Sequence, residues 1–189
     1  MNNPRREALP PPQEEMGASA HERLLAAAKA DNEDMLLDAL NSIEDINQPD
    51  GLGNTALHYA IQHASTNVLE TILCHETCDV DLRNRLQGDT PLHIAVRNKW
   101  EESPGLRLYL VKNLLEAGAD TTTKNRHNQK PVDILPPITT APGTQDPDNE
   151  EIRAALRKAE AEAALGVGDD LVEEDDGHVD PDDIASDSD

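Results

Sequence analysis

"GDTPLHIAV", residues Gly88–Val96, is the stretch that decides the fold, because a close copy of it stands upstream. That copy, GNTALHYAI, begins at Gly53, 35 residues earlier. A weaker echo, KPVD, begins at Lys130, 40 residues after Thr90. Self-similarity at such a spacing indicates stacked repeats, each of which buries its apolar face against its neighbours.

Each position of the repeated motif has a physical task. The threonine is predicted to cap a helix by accepting a backbone N–H, and the proline suits the first helical turn because no N–H is needed there. The leucine enters the core, and the histidine ring can bond to the neighbouring loop and tie one repeat to the next. The structural positions of the motif are Thr55, Leu57, His58, Thr90, Pro91, Leu92 and His93.

The residues around the motif predict turns and further helices. Gly53, Gly88 and Asn128 stand two residues before the motif threonine or its equivalent, and these residue types tolerate the positive φ of a tight turn. The later stretch YLVKNLLEAGAD has apolar residues at helical spacing, and Gly118 is placed to end that helix. The pattern therefore predicts a turn followed by two helices in each repeat.

These motifs make the chain resemble the ankyrin-repeat family, over residues 20–163. The resemblance implies an all-α solenoid of about four helix-pair repeats joined by short β-hairpin-like loops. The implied repeats are about 20–49, 50–84, 85–124 and 125–163, with the first and last acting as caps that depart from the repeat pattern. Within the family, the chain is similar to small fungal ankyrin-repeat proteins with an acidic C-terminal tail.

Both ends of the chain differ in composition from its centre. Residues 1–19 contain four prolines and no periodic apolar pattern, which predicts a disordered N-terminal arm. Residues 164–189 contain eleven carboxylates and no Lys or Arg, which predicts a disordered acidic tail. Ser186, with acidic residues around it, is a possible phosphorylation site within that tail.

The charge and hydropathy limit the partners that the chain can have. A formal net charge of -22 opposes binding to nucleic acid, whose phosphates are neutralised by Lys and Arg, and favours a basic protein partner. No apolar run is long enough to span a membrane, and no signal segment is recognisable at the start. We expect a monomer in the cytoplasm, the nucleus or both, with reduced cysteines.

No catalytic or metal-binding pattern stands out. The stretch CHETC, residues 74–78, brings two thiols and an imidazole together, but structural zinc takes four ligands and a second ligand pair is missing. His58 and His93 belong to the repeat motif and lack a nucleophile in a recognisable arrangement. There is no phosphate-binding or dinucleotide-binding glycine motif. The sequence therefore predicts a protein that is not an enzyme and takes no cofactor.

The resemblance implies a concave binding surface made of the hairpin tips and the exposed side of the first helices. At each position, a solvated repeat surface is the alternative, and the residues after the motif histidines could instead pack against their neighbours. An insertion at residues 99–106 carries the single Trp, which either contacts a partner or closes the end of its helix pair. The candidate contacts are Leu52, Asn54, Tyr59, Gln62, His63, Gln87, Asp89, Ile94, Arg97, Asn98, Trp100, His127 and Gln129.

Two functions fit a binding scaffold joined to an anionic tail. One is an escort, or dedicated chaperone, for a basic client such as a ribosomal protein or translation factor, with the tail covering surfaces that otherwise bind RNA. The alternative is an adaptor or regulatory subunit of a multi-protein complex, for example in the proteasome or in transcription, whose tail only maintains solubility. The charge of the partner distinguishes them.

Overall fold

A computed structural model describes residues 17–100, 102–103, 105–137 and 147–166. These residues form seven α-helices and one 3-10 turn, and no strand lies among them, which confirms the all-α class. The two terminal segments predicted to be disordered lie almost wholly outside the described residues, as does Ser186. The helices are α1 (Ala20–Ala30), α2 (Glu33–Leu40), α3 (Ala56–His63), α4 (Thr66–Leu73), α5 (Pro91–Arg97), α6 (Leu106–Glu116) and α7 (Pro147–Gly166), and the 3-10 turn is Pro131–Ile134.

Successive helices pair and the pairs stack. The first helices of the pairs, α1, α3 and α5, lie in a row that the 3-10 turn continues, while α2 packs on α4 and α6 packs on α7. Leu57 and Leu92 of the two motifs are buried in one continuous core of aliphatic side chains, together with Leu36, Leu69 and Leu114 of the second helices. The aliphatic core agrees with the low aromatic content of the chain.

The predicted turn geometry is confirmed. Gly53 and Gly88 have φ values of 82° and 68°, and Asn128 has φ of 59°. A capping bond predicted for the motif threonine is present at Thr90, whose hydroxyl accepts from the backbone N–H of His93 at 3.4 Å. The turns therefore lie where the motif places them. Thr55 and Thr90 are the N-cap residues of α3 and α5, with the side-chain cap bond formed at Thr90.

The fourth unit departs from the predicted helix pair. Its first helix is reduced to the single 3-10 turn Pro131–Ile134, and Leu135 is already extended, with φ -65° and ψ 140°. Pro136 and Pro137 follow directly, and a proline disfavours helical backbone in the residue before it. The two prolines explain why this helix stops after one turn.

The predicted insertion separates the helices of the third unit. Eight residues lie between α5 and α6, whereas two lie between α3 and α4. Trp100 is half-buried and packs against the core, which favours its structural role of closing the helix pair. At the other end of the insertion, the buried Arg107 donates to the carbonyl oxygen of Val96 through Nε at 2.9 Å and to Oδ1 of Asn149 at 2.6 Å. Arg107 thereby ties α6 to the end of α5 and to the start of α7.

Candidate protein-binding surface

Three hairpin loops, residues 50–54, 84–89 and 125–129, form a row along one edge of the stack. Each loop is closed by a backbone hydrogen bond between its first and last residues, at 2.9 to 3.0 Å. Neighbouring loops are also joined, because Arg85 N–H donates to the carbonyl of Leu52 and Arg126 N–H donates to the carbonyl of Gln87, both at 2.8 Å. The row of loops is therefore held by the backbone rather than by side chains alone.

The first residue of each hairpin fixes its shape. One side-chain oxygen of Asp50 accepts from the N–H groups of Leu52 and Asn54, both at 2.9 Å. In the same way, the Oδ1 atoms of Asn84 and Asn125 each accept two backbone N–H groups in their own loops. Sequence reasoning missed these three residues, although an Asp or Asn before a turn glycine is a known signal for such a loop.

The motif histidines join each hairpin to the next repeat, as predicted. Nδ1 of His93 accepts from the backbone N–H of Thr90 at 3.3 Å and lies 2.8 Å from the threonine hydroxyl. Because Nδ1 accepts, Nε2 carries the proton and donates to the carbonyl of Gln129 at 3.0 Å. His58 makes the same contacts with Thr55 and, at 3.3 Å, with the carbonyl of Asp89.

This bonding requires neutral imidazoles and predicts a pH dependence. Burial lowers the pKa of His58 and of His93 below the ordinary value of 6.5, although backbone carbonyls partly oppose it. As the pH falls below about 6.5, the unfolded chain takes up these protons before the folded chain does, so stability is lost. We expect the urea midpoint to decrease between about pH 7.5 and about pH 5.5, and to decrease less in His93→Gln. Equal decreases in both proteins would contradict this origin.

A buried carboxylate connects the second and third hairpins. Asp89 pairs with the Arg97 guanidinium and accepts from Nδ2 of Asn125 at 2.9 Å, while Arg97 also donates to Oε1 of Gln87 at 2.5 Å. Burial raises the pKa of Asp89, but the hydrogen bonds from Arg97 and Asn125 outweigh it and hold that pKa below its ordinary value. The side chains of Asp89 and Arg97 therefore help to hold the hairpins together.

Tyr59 has the corresponding role at the first hairpin. Its hydroxyl donates to Oδ2 of Asp50 at 2.5 Å, and Nζ of Lys29 lies 3.9 Å from the centre of its ring. A cation above an aromatic face is attracted by the electron density of the ring. Tyr59 thus links α1, α3 and the first hairpin.

The structure separates the predicted contact residues into two sets. Asn54, Tyr59, Asp89 and Ile94 are buried. The exposure expected of Asn54 and Asp89 is therefore wrong, whereas Tyr59 and Ile94 follow the alternative of packing against their neighbours. These four residues form hydrogen bonds in or to the hairpins, or pack between repeats. The other predicted contacts are exposed or half-buried, and their role in binding stays a prediction; these are Leu52, Gln62, His63, Gln87, Arg97, Asn98, Trp100, His127 and Gln129.

Charge is distributed unevenly along the stack, which sequence reasoning missed. Residues 30–82 contain eleven Asp and Glu and no Lys or Arg, whereas residues 83–130 contain nine Lys and Arg and five Asp and Glu. Most of the carboxylates in the first segment are exposed and lie on α2, on α4 or in the loops that follow them. We call this set the acidic surface: Glu33, Asp34, Asp38, Glu44, Asp45, Glu70, Glu76 and Asp79.

A shallow groove of about 490 Å³ runs between α2 and α4 within the acidic surface. Glu33 and Glu70 line its two sides, and Leu40 contributes apolar surface. Leu37, on the same helix as Glu33, is 45% exposed. The groove therefore offers negative charge next to apolar contact area.

The two cysteines are free thiols, and the pKa of one of them is raised. Cys74 and Cys78 are not bonded to each other, and burial together with the nearby Asp79 raises the pKa of the Cys78 thiol to about 11. Such a thiol stays protonated and unreactive at neutral pH. In the described part of the chain, no group of three or more ligand side chains could hold a metal ion, and no helix is long and apolar enough to cross a membrane.

Comparisons with known proteins agree with this fold. A family model described as ankyrin repeats (3 copies) matches residues 24–125. Ankyrin repeat-containing protein YGL242C of Saccharomyces cerevisiae is 40% identical over 129 residues, covering 63% of this chain and 71% of the yeast protein. Human NF-kappa-B inhibitor delta is 33% identical over 110 residues, and human NF-kappa-B inhibitor zeta is 29% identical over 106 residues. This chain spans 31% and 13% of those two proteins.

The chain belongs to the ankyrin-repeat family. Ankyrin repeats are protein–protein interaction modules and are generally not enzymes, so this chain carries a module for binding another protein. The family model ends at residue 125, before the 3-10 turn and α7 that complete the stack. Similarity to a fungal ankyrin-repeat protein was also predicted and is confirmed by the yeast relative.

Proposed function

We propose that this protein is an escort for a basic protein, which it binds through the acidic surface. The observation that carries the proposal is the absence of Lys and Arg from residues 30–82, beside eleven Asp and Glu. Since this part of the chain carries carboxylates and no cation of its own, it attracts a positively charged partner. Complementary charge speeds encounter and disfavours partners of the wrong sign.

The groove between α2 and α4 adds contacts that charge alone does not supply. Leu40 lines the groove and Leu37 is exposed on the same helix, so apolar side chains of a partner can be buried between flanking carboxylates. Specific protein interfaces combine such an apolar centre with a polar rim. The acidic surface is therefore better suited to binding a folded basic protein than to binding dissolved cations.

The acidic tail extends the same charge. Its eleven carboxylates can neutralise Lys and Arg on a client that otherwise binds RNA, as on a ribosomal protein or translation factor. In this arrangement the folded repeats supply specificity, and the tail covers the remaining cationic surface.

An adaptor in a multi-protein complex is the second candidate, and the comparisons favour it. Two relatives are named as NF-kappa-B inhibitors, that is, as proteins that regulate another protein. An adaptor of a proteasome or transcription complex would use the repeats in the same way but would not need the tail. A partner without strong positive charge would support this second function.

Affinity purification from the native cell, followed by mass spectrometry, tests the escort function. We expect the full chain to capture a protein with an isoelectric point above about 9. Neutralising four carboxylates of the acidic surface should weaken capture roughly tenfold, because each lost charge pair contributes a few tenths of a kcal/mol. The variant carries Glu33→Gln, Asp38→Asn, Glu70→Gln and Glu76→Gln.

A matched variant controls for the change in net charge. Four exposed carboxylates elsewhere are neutralised instead, in Glu116→Gln, Glu150→Gln, Glu151→Gln and Glu162→Gln, and capture should be retained. Equal loss in both variants would reduce the effect to net charge, and a neutral or acidic partner would overturn the escort function. A chain ending at Gly166 shows whether the tail contributes.

A further inference from the structure

Four cations stand together on, or directly before, the second and third hairpins. We call Arg83, Arg85, Lys124 and Arg126 the basic hairpin cluster; all four are exposed. Nη1 of Arg83 donates to the carbonyl of Lys124 at 3.3 Å, which brings the bases of the two loops together. The stems of Arg85 and Arg126 lie against Gly53 and Gly88 of the preceding hairpins. These contacts hold the side chains of Arg83, Arg85 and Arg126 against the neighbouring loops.

Among the described residues, no carboxylate forms a salt bridge with any of these four side chains. The carboxylates of the same segments are engaged elsewhere. Asp89 pairs with Arg97, Asp81 accepts from the N–H of Asp120, and Asp120 accepts from Thr122 and Thr123. A concentrated positive charge thus remains on a protein whose net charge is strongly negative.

The acidic tail starts close to this cluster. Glu160 of α7 contacts Nζ of Lys130 at 2.9 Å, and Lys130 directly follows the third hairpin. From Glu160, α7 continues for six residues to Gly166, which is about 9 Å of helix. The 23 residues after Gly166 can span up to roughly 75 Å when extended, and the first carboxylate, Asp169, comes three residues after Gly166. Both hairpins of the cluster therefore lie within reach of the tail.

We propose that residues 169–189 of the same chain bind the basic hairpin cluster when no partner is present. Charge complementarity and proximity support this occupant: eleven carboxylates without a single Lys or Arg are tethered beside four exposed cations. Tethering gives an effective concentration on the order of mM, so even weak ion pairs suffice for binding within one molecule. The contact restrains the tail until a competing positive surface removes it.

This contact has a consequence for binding, although it does not depend on the proposed function. A basic partner competes with the hairpins for the tail, so we expect the tail to leave the basic hairpin cluster when such a partner binds.

Paramagnetic relaxation enhancement on the full chain tests the contact. A spin label is attached to Ser188→Cys in a chain that also carries Cys74→Ser and Cys78→Ala. At about 0.02 M salt, the amide peaks of Arg85, Leu86, Arg126 and His127 should lose most of their intensity. At about 0.5 M salt the peaks should recover, because the Debye length shrinks to a few ångströms. Peaks that stay intact at low salt would overturn the proposal.

Two sets of substitutions decide whether the hairpins are responsible. Changing the four cluster residues to Gln should abolish the loss of intensity. Changing four other exposed cations to Gln should preserve it; these are Arg23, Lys112, Arg157 and Lys158. Unchanged amide shifts away from the hairpins confirm that each variant is folded. Equal behaviour of the two variants overturns the proposal. An isotope-labelled chain without a spin label is also mixed with a spin-labelled chain without isotopes. Broadening of the isotope-labelled peaks in this mixture overturns the proposal, because it would assign the contact to a second copy.

Discussion

Gly53→Ala is expected to lower the free energy of unfolding by about 3 kcal/mol. Gly53 has φ of 82°, where an L side chain costs about 1 kcal/mol or more. An added Cβ would also lie 2.6 Å from the backbone nitrogen of Arg85, so the neighbouring hairpin would have to move. That movement would break the hydrogen bond from Arg85 N–H to the carbonyl of Leu52. Urea unfolding followed by circular dichroism measures the loss.

Substitutions at two other glycines distinguish the cost of a positive φ from the cost of close contact between hairpins. Gly118 also has a positive φ, of 88°, but an added Cβ there would meet nothing within 4 Å, so Gly118→Ala should cost only about 1 kcal/mol. Gly51 has open space and no positive φ, and Gly51→Ala should change stability by less than about 0.5 kcal/mol. Equal losses at Gly53 and Gly118 would show that contact between hairpins adds nothing.

His58→Ala is the second substitution with a large expected effect, again a loss of about 3 kcal/mol. The imidazole is fully buried and bonds to the N–H and hydroxyl of Thr55 and to the carbonyl of Asp89. Alanine would leave these polar groups without their partner in the core, and each unsatisfied buried group costs about 1–3 kcal/mol. It would also cut the link between the second and third repeats.

His63→Ala is the matched control on the same helix. Its ring is exposed, and its centre lies 6.3 Å from the centre of the Tyr59 ring. The loss should stay below about 1 kcal/mol. If His58→Ala were as mild as His63→Ala, the motif histidine would not hold the repeats together. The same urea experiment measures both variants.

The repeat fold could be predicted from short-range signals. The TPLH motif, its copies and the turn glycines specify where helices begin and where φ becomes positive, and these are properties of a few neighbouring residues. His58 and His93 were correctly predicted to join adjacent repeats because the motif places them at the same point in each. The solenoid follows from repetition of this unit.

Burial of individual surface positions could not be predicted in the same way. Asn54 and Asp89 are at loop positions that usually face solvent, but both are buried. The Asn54 N–H donates to Asp50 within its own hairpin, whereas Asp89 accepts from Asn125 of the next hairpin. The partners of Asp89 are Arg97 and Asn125, of which Asn125 is 36 residues away in the chain. Such contacts depend on the register between repeats, which a local motif does not specify.

The uneven distribution of charge is visible in the sequence, but only the fold shows which charged residues lie together. Residues 30–82 and 83–130 differ in their Lys and Arg content along the chain. Packing of α2 on α4 places Glu33 and Glu70 on the two sides of one groove, and joining of the hairpins gathers cations of the second segment into one cluster. One molecule therefore presents an acidic surface on α2, α4 and the loops after them, and a basic cluster at the second and third hairpins.

Hydrogen exchange measured by mass spectrometry, on the full chain with and without its captured partner, tests the proposed binding mode most directly. The proposal predicts slower exchange in α2, in α4 and in the loops 41–49 and 74–80 that carry the acidic surface. Exchange in α6 should not change. Slower exchange confined to the hairpins and to α3 and α5, with α2 and α4 unchanged, would contradict it and would assign recognition to the concave surface.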